Sequence, residues 1–196
     1  MTGRMLIAGI GNIFLGDDGF GPEVAKRLGG VSLPGWVRVA DYGISGMHLA
    51  YDLADDYEAA ILIDAAPRGD KPGTVSVLDV AEHRAEAGPA DGTIGASRLF
   101  DAHGMQPDVV LGVLDMLGGA GPARILVVGC EPASVDYGME LSEPVANAVD
   151  EAVQVVLDLV AEAGRGHEPP GAAGALPAPA PETIGKGVSH VPWHSR

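Results

Sequence analysis

The chain has 196 residues, a length typical of one domain, with 46% hydrophobic and 20% charged residues. A formal net charge of -15 argues against a nucleic-acid partner and against an anionic membrane surface. The single cysteine, Cys130, excludes an intramolecular disulfide and a cysteine-rich zinc framework. The acidic composition therefore points to a cationic partner, a metal ion or simple solubility.

The composition divides the chain into two parts. Residues 1–164 carry regular hydrophobic patterns and predict a single α/β domain, whereas residues 165–196 are rich in Gly, Pro and Ala and predict a disordered tail. Hydropathy shows no apolar run of 18 residues, and the N-terminus lacks a signal-peptide pattern. We therefore expect a cytoplasmic protein with no membrane partner.

Predicted strands and helices alternate along the chain. In chain order, the patterns predict a strand at 4–10, a helix at 19–30, strands at 36–42, 59–65, 73–80 and 123–130, and further helices at 46–55, 107–119 and 142–164. Residues 81–106 carry no regular pattern and predict a long functional or disordered loop. Near-continuous apolar strands separated by helices predict a three-layer α/β fold: a twisted, mostly parallel five-stranded sheet flanked by helices on both faces.

The first strand runs into a Gly-rich turn, "GIGNIFLGDDGFG". Gly9 and Gly11 match the start of a dinucleotide-binding fingerprint, but Phe14 stands where the third glycine is expected. Asp17 and Asp18 follow, and their carboxylates would repel a pyrophosphate. One of them is expected to cap the next helix, and the pair could also bind a cation.

Two more acids lie at the ends of predicted strands: Asp41 ends the second strand and Asp64 ends the third. Because the carboxyl ends of parallel strands share one edge of a sheet, these residues and Asp18 are expected to meet there. His103 lies between the irregular loop and the helix predicted at 107–119. Imidazole with carboxylates is a donor set suited to nickel, zinc or iron.

Five segments in order resemble the nickel-iron hydrogenase maturation proteases: "GIGNIFLGDDGFGPEV", "DYGISGMHL", "LIDA" with "KPGTV", "DAHGMQPDVVL" and "GCEPASVDYGMELSEPVANAV". The resemblance covers roughly residues 4–162. It implies an endopeptidase that removes a short C-terminal extension from the hydrogenase large-subunit precursor once nickel has entered that subunit. It also implies a twisted sheet flanked by helices, in agreement with the pattern-based prediction.

By motif, the resemblance places metal-contacting positions on Asp18, Asp64 and His103. The first is commonly Glu in the family, so Asp18 reaches one methylene less far. Nickel of the precursor, or another divalent metal, is the implied metal, and no organic cofactor is implied. Asp41 matches a further acidic position near the cleft, and we take it as the candidate catalytic base.

No serine-nucleophile elbow or HExxH motif is present in the sequence. Other interpretations stay open: a nucleotide-binding α/β module, a metal-sensing chaperone that binds the precursor without cutting it, and a germination-protease-like or other self-processing peptidase. The sequence does not fix the oligomeric state, and a monomer is the expectation.

Overall fold

The computed structural model describes residues 3–55, 57–81 and 121–165. These residues build a five-stranded sheet in the order β2-β1-β3-β5-β4. Neighbouring strands are parallel except for β4, which runs antiparallel to β5. The strands are β1 (Arg4–Ile10), β2 (Val37–Gly43), β3 (Tyr57–Ala65), β4 (Val75–Asp79) and β5 (Arg124–Cys130).

Helices cover both faces of this sheet. They are α1 (Phe20–Leu28), α2 (Gly46–Leu53) and α3 (Glu143–Arg165), and a 3-10 turn at Gly16–Gly19 precedes α1. α1 and α3 pack on one face, where Phe20, Val24 and Val149 join the odd-numbered residues of β1 in one apolar cluster. α2 covers the opposite face, where Leu49 and Leu53 join the even-numbered residues of β1 in a second cluster.

The predicted fold class is confirmed, and the strand and helix bounds differ from the predicted ones by only a few residues at each end. The reversed direction of β4 was not specified by the pattern. Its reason is a short connection, since residues 66–74 contain no helix and cannot carry the chain back to the amino end of the sheet. The irregular segment 81–106, apart from Ala81, the helix predicted at 107–119 and the tail from 166 onward lie outside the described residues.

Two glycines bring α1 unusually close to the sheet. A Cβ added at Gly21 would lie 2.2 Å from the carbonyl oxygens of Ile10 and Ile63, at the ends of β1 and β3. A Cβ added at Gly9 would lie 2.5 Å from the carbonyl oxygen of Gly21. Real Cβ atoms do not approach backbone this closely, so only glycine permits the packing. The first turn of α1 thereby rests directly on the carboxyl ends of the two central strands.

Within the described part of the chain, no helix combines the length and apolar character needed to cross a membrane.

Candidate active site

The three strands that carry the predicted acids lie side by side. Gly9 of β1 is in register with Asp41 of β2 on one side and with Ile63 of β3 on the other. Asp64 follows Ile63, and Asp18 lies in the 3-10 turn after β1. The expectation that these acids share the carboxyl edge of the sheet is therefore confirmed.

Asp64 is a buried acid at this edge, with 5% of its surface exposed. Burial, followed by the negative charge of Asp18, raises the pKa of the Asp64 carboxyl well above its ordinary value, and a hydrogen bond from the backbone of Ala65 opposes that shift. Ionisation of Asp64 would place a desolvated negative charge beside a second one, and the two charges would repel each other. A cation between them would relieve both the desolvation and the repulsion.

The Gly-rich turn fixes the position of Asp18. Gly11 has φ +129°, and a Cβ added there would lie 1.9 Å from the carbonyl oxygen of Asp18. Asn12 then donates its backbone N–H to Asp18 Oδ2 at 2.7 Å. The space in which a fingerprint turn would cradle a phosphate is therefore filled by the chain's own backbone.

Asp17 has a different role from the one expected. Among the described residues, no side chain caps the 3-10 turn or α1, so the prediction that one of the two aspartates caps the next helix is wrong. The Asp17 carboxylate, 1% exposed, instead accepts hydrogen bonds from the backbone N–H groups of Ala133, Ser134 and Ser142, and from Ser142 Oγ. It ties the segment before α3 to the turn after β1.

Glu131 is a further buried acid that the sequence-based reasoning missed. It directly follows β5, and its carboxylate accepts the backbone N–H of Arg68 at 2.6 Å and that of Gly69 at 3.2 Å. These bonds hold the loop after Asp64 against the end of β5. The sequence signal that could have identified Glu131 is the one used for Asp41 and Asp64, an acid at the carboxyl end of an apolar strand.

Asp41 lies at the same edge but on the opposite face of the sheet from Asp64. Val37 and Val39 pack against the cluster under α1 and α3, and side chains alternate along a strand, so Asp41 continues on that face. By the same alternation Asp64 continues the α2 face of β3. The exposed Asp41 carboxylate accepts the backbone N–H of Gly43 at 2.8 Å. The structure thus pairs Asp18 with Asp64 and sets Asp41 apart at the rim, so the expectation that all three acids meet is wrong for Asp41.

His103, the third predicted metal-contacting residue, lies outside the described residues. Within residues 3–55, 57–81 and 121–165, no group of three or more His, Cys, Asp or Glu side chains is arranged to hold a metal ion. The described part of the chain therefore supplies two carboxylates of the expected set. Two donors suit an ion that arrives with ligands of its own better than one held by the protein alone.

Cys130 ends β5 close to this edge, and its thiol is fully buried. Burial is the main cause that raises its pKa to about 12, with smaller contributions from the charges of Asp17 and Glu131. A thiol with this pKa is protonated at neutral pH and is a poor nucleophile.

Comparison with known proteins gives one consistent answer. The family model described as hydrogenase maturation protease matches residues 22–159. The hydrogenase expression/formation protein HupD of Rhodobacter capsulatus is 33% identical over 152 residues, which are 76% of this chain and 68% of that protein. The hydrogenase 2 maturation protease of Escherichia coli is 29% identical over 167 residues, which are 82% of this chain and 93% of that protein.

Solved structures agree with the sequence relatives. The hydrogenase maturating endopeptidase HybD from Escherichia coli superposes with a TM-score of 0.65 at 28% identity, covering 82% of this chain and 94% of that one. The hydrogenase 2 maturation peptidase from a Thaumarchaeota archaeon superposes with a TM-score of 0.59 at 32% identity, covering 81% of this chain and 98% of that one. The family match spans more than half of the chain, and the chain belongs to the hydrogenase maturation protease family.

Proposed function

We propose that this protein is an endopeptidase that removes the C-terminal extension of a nickel-iron hydrogenase large-subunit precursor after nickel insertion. The observation that carries the proposal is the buried Asp64 carboxylate beside Asp18 at the carboxyl edge of the sheet, in a chain of the hydrogenase maturation protease family. The substrate is then the precursor with its own nickel ion. Nickel insertion is then the step that makes the precursor a substrate.

The electrostatics of the pair favour this role. Asp64 is desolvated and lies near a second negative charge, so its ionised form is unfavourable in the free protein. A nickel ion brought by the precursor would favour ionisation of both carboxylates. A precursor without nickel would offer no such gain, and its complex would be weaker.

His103 is proposed as the third contact to the nickel. Its imidazole would add a nitrogen donor to two carboxylate oxygens, a set that suits a borderline ion such as Ni²⁺. The support is the match of "DAHGMQPDVVL" to the family pattern. His103→Ala should abolish cleavage and leave the melting temperature within a few degrees of wild type. Loss of folding instead would assign His103 a structural role.

Asp41 is proposed as the general base. The precursor's nickel would polarise the scissile carbonyl or a water molecule, and Asp41 would accept the proton of the attacking water. A strand spacing of about 4.8 Å places the Cα of Asp41 roughly 10 Å from that of Ile63, so the scissile bond would lie between nickel and base. Full activity of Asp41→Asn would remove Asp41 from this role.

The surroundings of the turn support this function over nucleotide binding. The backbone of Asp18 fills the space at Gly11, and Asp17 and Asp18 place negative charge near it. A phosphate would meet repulsion and no open cradle. We further propose that the protein acts as a cytoplasmic monomer without an organic cofactor.

The direct test uses a large-subunit precursor in nickel-loaded and nickel-free forms, each mixed with the protein and analysed by mass spectrometry. The expected result is a single loss of a short C-terminal peptide from the nickel-loaded form alone. Equal cleavage of both forms would contradict the nickel requirement. Binding of the precursor without cleavage would favour a metal-sensing chaperone.

A further inference from the structure

β2 forms one edge of the sheet, and β1 is its partner in the described part of the chain. Trp36 accepts the backbone N–H of Met5 at 2.9 Å, which places the backbone groups of Trp36, and by alternation those of Arg38 and Ala40, on the β1 side. The backbone groups of Val37, Val39 and Asp41 then point away from the sheet. We call this row the outer edge of β2.

Most of this row has no strand beside it within the described residues. The Val37 amide is bonded to the carbonyl of Pro34. The carbonyl of Val37 and both backbone groups of Val39 and Asp41 face outward, in the spacing that another strand requires. The outer edge of β2 can therefore accept an extended peptide through its main chain.

One groove follows the α2 face of β2, and a second opens beside Asp41 at the carboxyl end of that strand. The second groove has a volume of about 590 Å³ and lies between α1 and α3, and Asp41 is the β2 residue in its lining. The other has a volume of about 380 Å³ and is lined by Tyr42, His48 and Tyr51 together with the same Asp41. Since side chains of a strand alternate between faces, a peptide added here would send every second side chain towards the smaller groove, and its residue beside Asp41 would reach the larger one. Asp41 stands where the grooves meet.

We propose that the C-terminal extension of the precursor binds as an added β-strand along the outer edge of β2. This inference rests on the proposed function and names how its substrate is held. The precursor's nickel belongs at Asp18 and Asp64, so the folded body of the precursor lies over the carboxyl edge of the sheet. The extension leads away from that body, so it runs antiparallel to β2, from Asp41 towards Val37.

The charges of the grooves indicate the chemistry of the extension. In the larger groove Glu23 pairs with Lys26 and Arg27, and the remaining charged lining residues, Asp41 and Glu140, are acidic. In the smaller groove the guanidinium of Arg38 pairs with Asp52 at 3.2 Å. The grooves therefore favour apolar and basic side chains and disfavour acidic ones.

Val39→Pro tests the added strand directly. Proline removes the outward N–H of Val39 while the β1-facing groups of Arg38 and Ala40 stay intact, and an edge strand tolerates proline at such a position. Val39→Ala is the matched control, because it loses a similar part of the apolar side chain and keeps the N–H. We expect kcat/KM for nickel-loaded precursor to fall at least about tenfold in Val39→Pro relative to Val39→Ala, from loss of a main-chain bond and steric exclusion of the strand.

Hydrogen exchange of the wild-type protein provides a second readout, which does not depend on how well a variant folds. Addition of nickel-loaded precursor should slow exchange of the Val39 and Asp41 amides at least tenfold. The β4 strand, at the opposite edge of the sheet, serves as the internal control, and its exchange should not change.

The outcomes separate the inference from the proposed function. If wild type cleaves the precursor but Val39→Pro matches Val39→Ala and the amides keep their exchange rates, the added strand is wrong and the function stands. If wild type leaves the nickel-loaded precursor uncut, the proposed function itself fails. Faster cleavage by Val39→Pro, or a dimer that Val39→Pro dissociates, would show that this chain or a second copy covers the edge, and either would overturn the inference.

Discussion

Asp17 and Asp18 are adjacent in the chain, yet they occupy surroundings of opposite kind. Asp17 is buried and accepts four hydrogen bonds from Ala133, Ser134 and Ser142. Asp18 is partly exposed and lies near Asp64, a second and more deeply buried carboxylate. A carboxylate surrounded by fixed donors has its charge satisfied by the fold and stabilises it. A pair of carboxylates that repel each other is satisfied by a cation from outside, and this difference separates the structural acid from the functional ones.

The largest expected effect is on stability, from Asp17→Ala. It leaves three backbone N–H groups and one hydroxyl without their buried acceptor, and we expect the free energy of unfolding to fall by about 3–5 kcal/mol. Asp18→Ala is the matched control one residue away, and it should lose about 1 kcal/mol or less. Urea unfolding of both variants measures the difference. Equal losses of unfolding free energy in the two variants would show that Asp17 stabilises the fold no more than Asp18 does.

Gly21→Ala tests how α1 positions the functional pair. The new methyl would meet the carbonyl oxygens of Ile10 and Ile63 and push the helix start off the sheet. We expect a loss of about 2–3 kcal/mol and a marked loss of cleavage. Gly29→Ala, just past the other end of α1, is the matched control. A Cβ added at Gly29 would lie 3.3 Å from the carbonyl oxygen of Lys26, and the free energy of unfolding should change by about 0.5 kcal/mol at most. Wild-type cleavage by Gly21→Ala would show that the contact does not position the site.

Asp64→Asn should abolish cleavage and stabilise the fold. The raised pKa means that the folded protein holds the Asp64 proton more tightly than the unfolded chain does. The contribution of Asp64 to stability is therefore complete below its ordinary pKa of 3.8 and is lost as pH rises towards the raised value. Above the raised pKa the amide removes this loss and can donate to Asp18, so Tm of Asp64→Asn should there exceed that of wild type, by about 2–4 °C for each kcal/mol recovered.

The pH dependence checks the cause of that shift. Tm of wild type should fall more steeply than Tm of Asp64→Asn as pH rises from about 4 through the raised pKa of Asp64, and the variant should not cleave the precursor. Tm curves that stay parallel through this pH range would show that Asp64 is already satisfied within the fold.

The smallest effect concerns Cys130. Its pKa of about 12 predicts negligible reaction of the folded protein with a thiol reagent at pH 8, and full reaction after unfolding in urea. The stability contribution of this thiol is present below pH 9 and is lost as pH rises from 9 to about 12. Rapid labelling of the folded protein would place a reactive nucleophile at this edge and weaken the case for a metal-dependent cut.

Much of this architecture could be predicted from the sequence, because apolar strands and amphipathic helices have local signatures. The role of Asp17 could not, since its partners Ala133 and Ser142 lie 116 and 125 residues away. The face on which Asp41 projects also depends on strand alternation relative to neighbours that the sequence does not specify. The predicted strand ends were enough to place the acids at one edge of the sheet. Only the packed structure shows that Asp17 is hydrogen-bonded within the fold, whereas Asp18 and Asp64 lie beside each other.

The most direct test of the central claim compares Asp18→Asn with wild type for cleavage of nickel-loaded precursor, with urea unfolding measured on the same samples. We expect Asp18→Asn to unfold within about 1 kcal/mol of wild type and to cleave about a hundredfold more slowly or worse, because the nickel loses a contact. Wild-type cleavage by a stably folded Asp18→Asn would contradict this claim, since Asp18 would then be dispensable at the site.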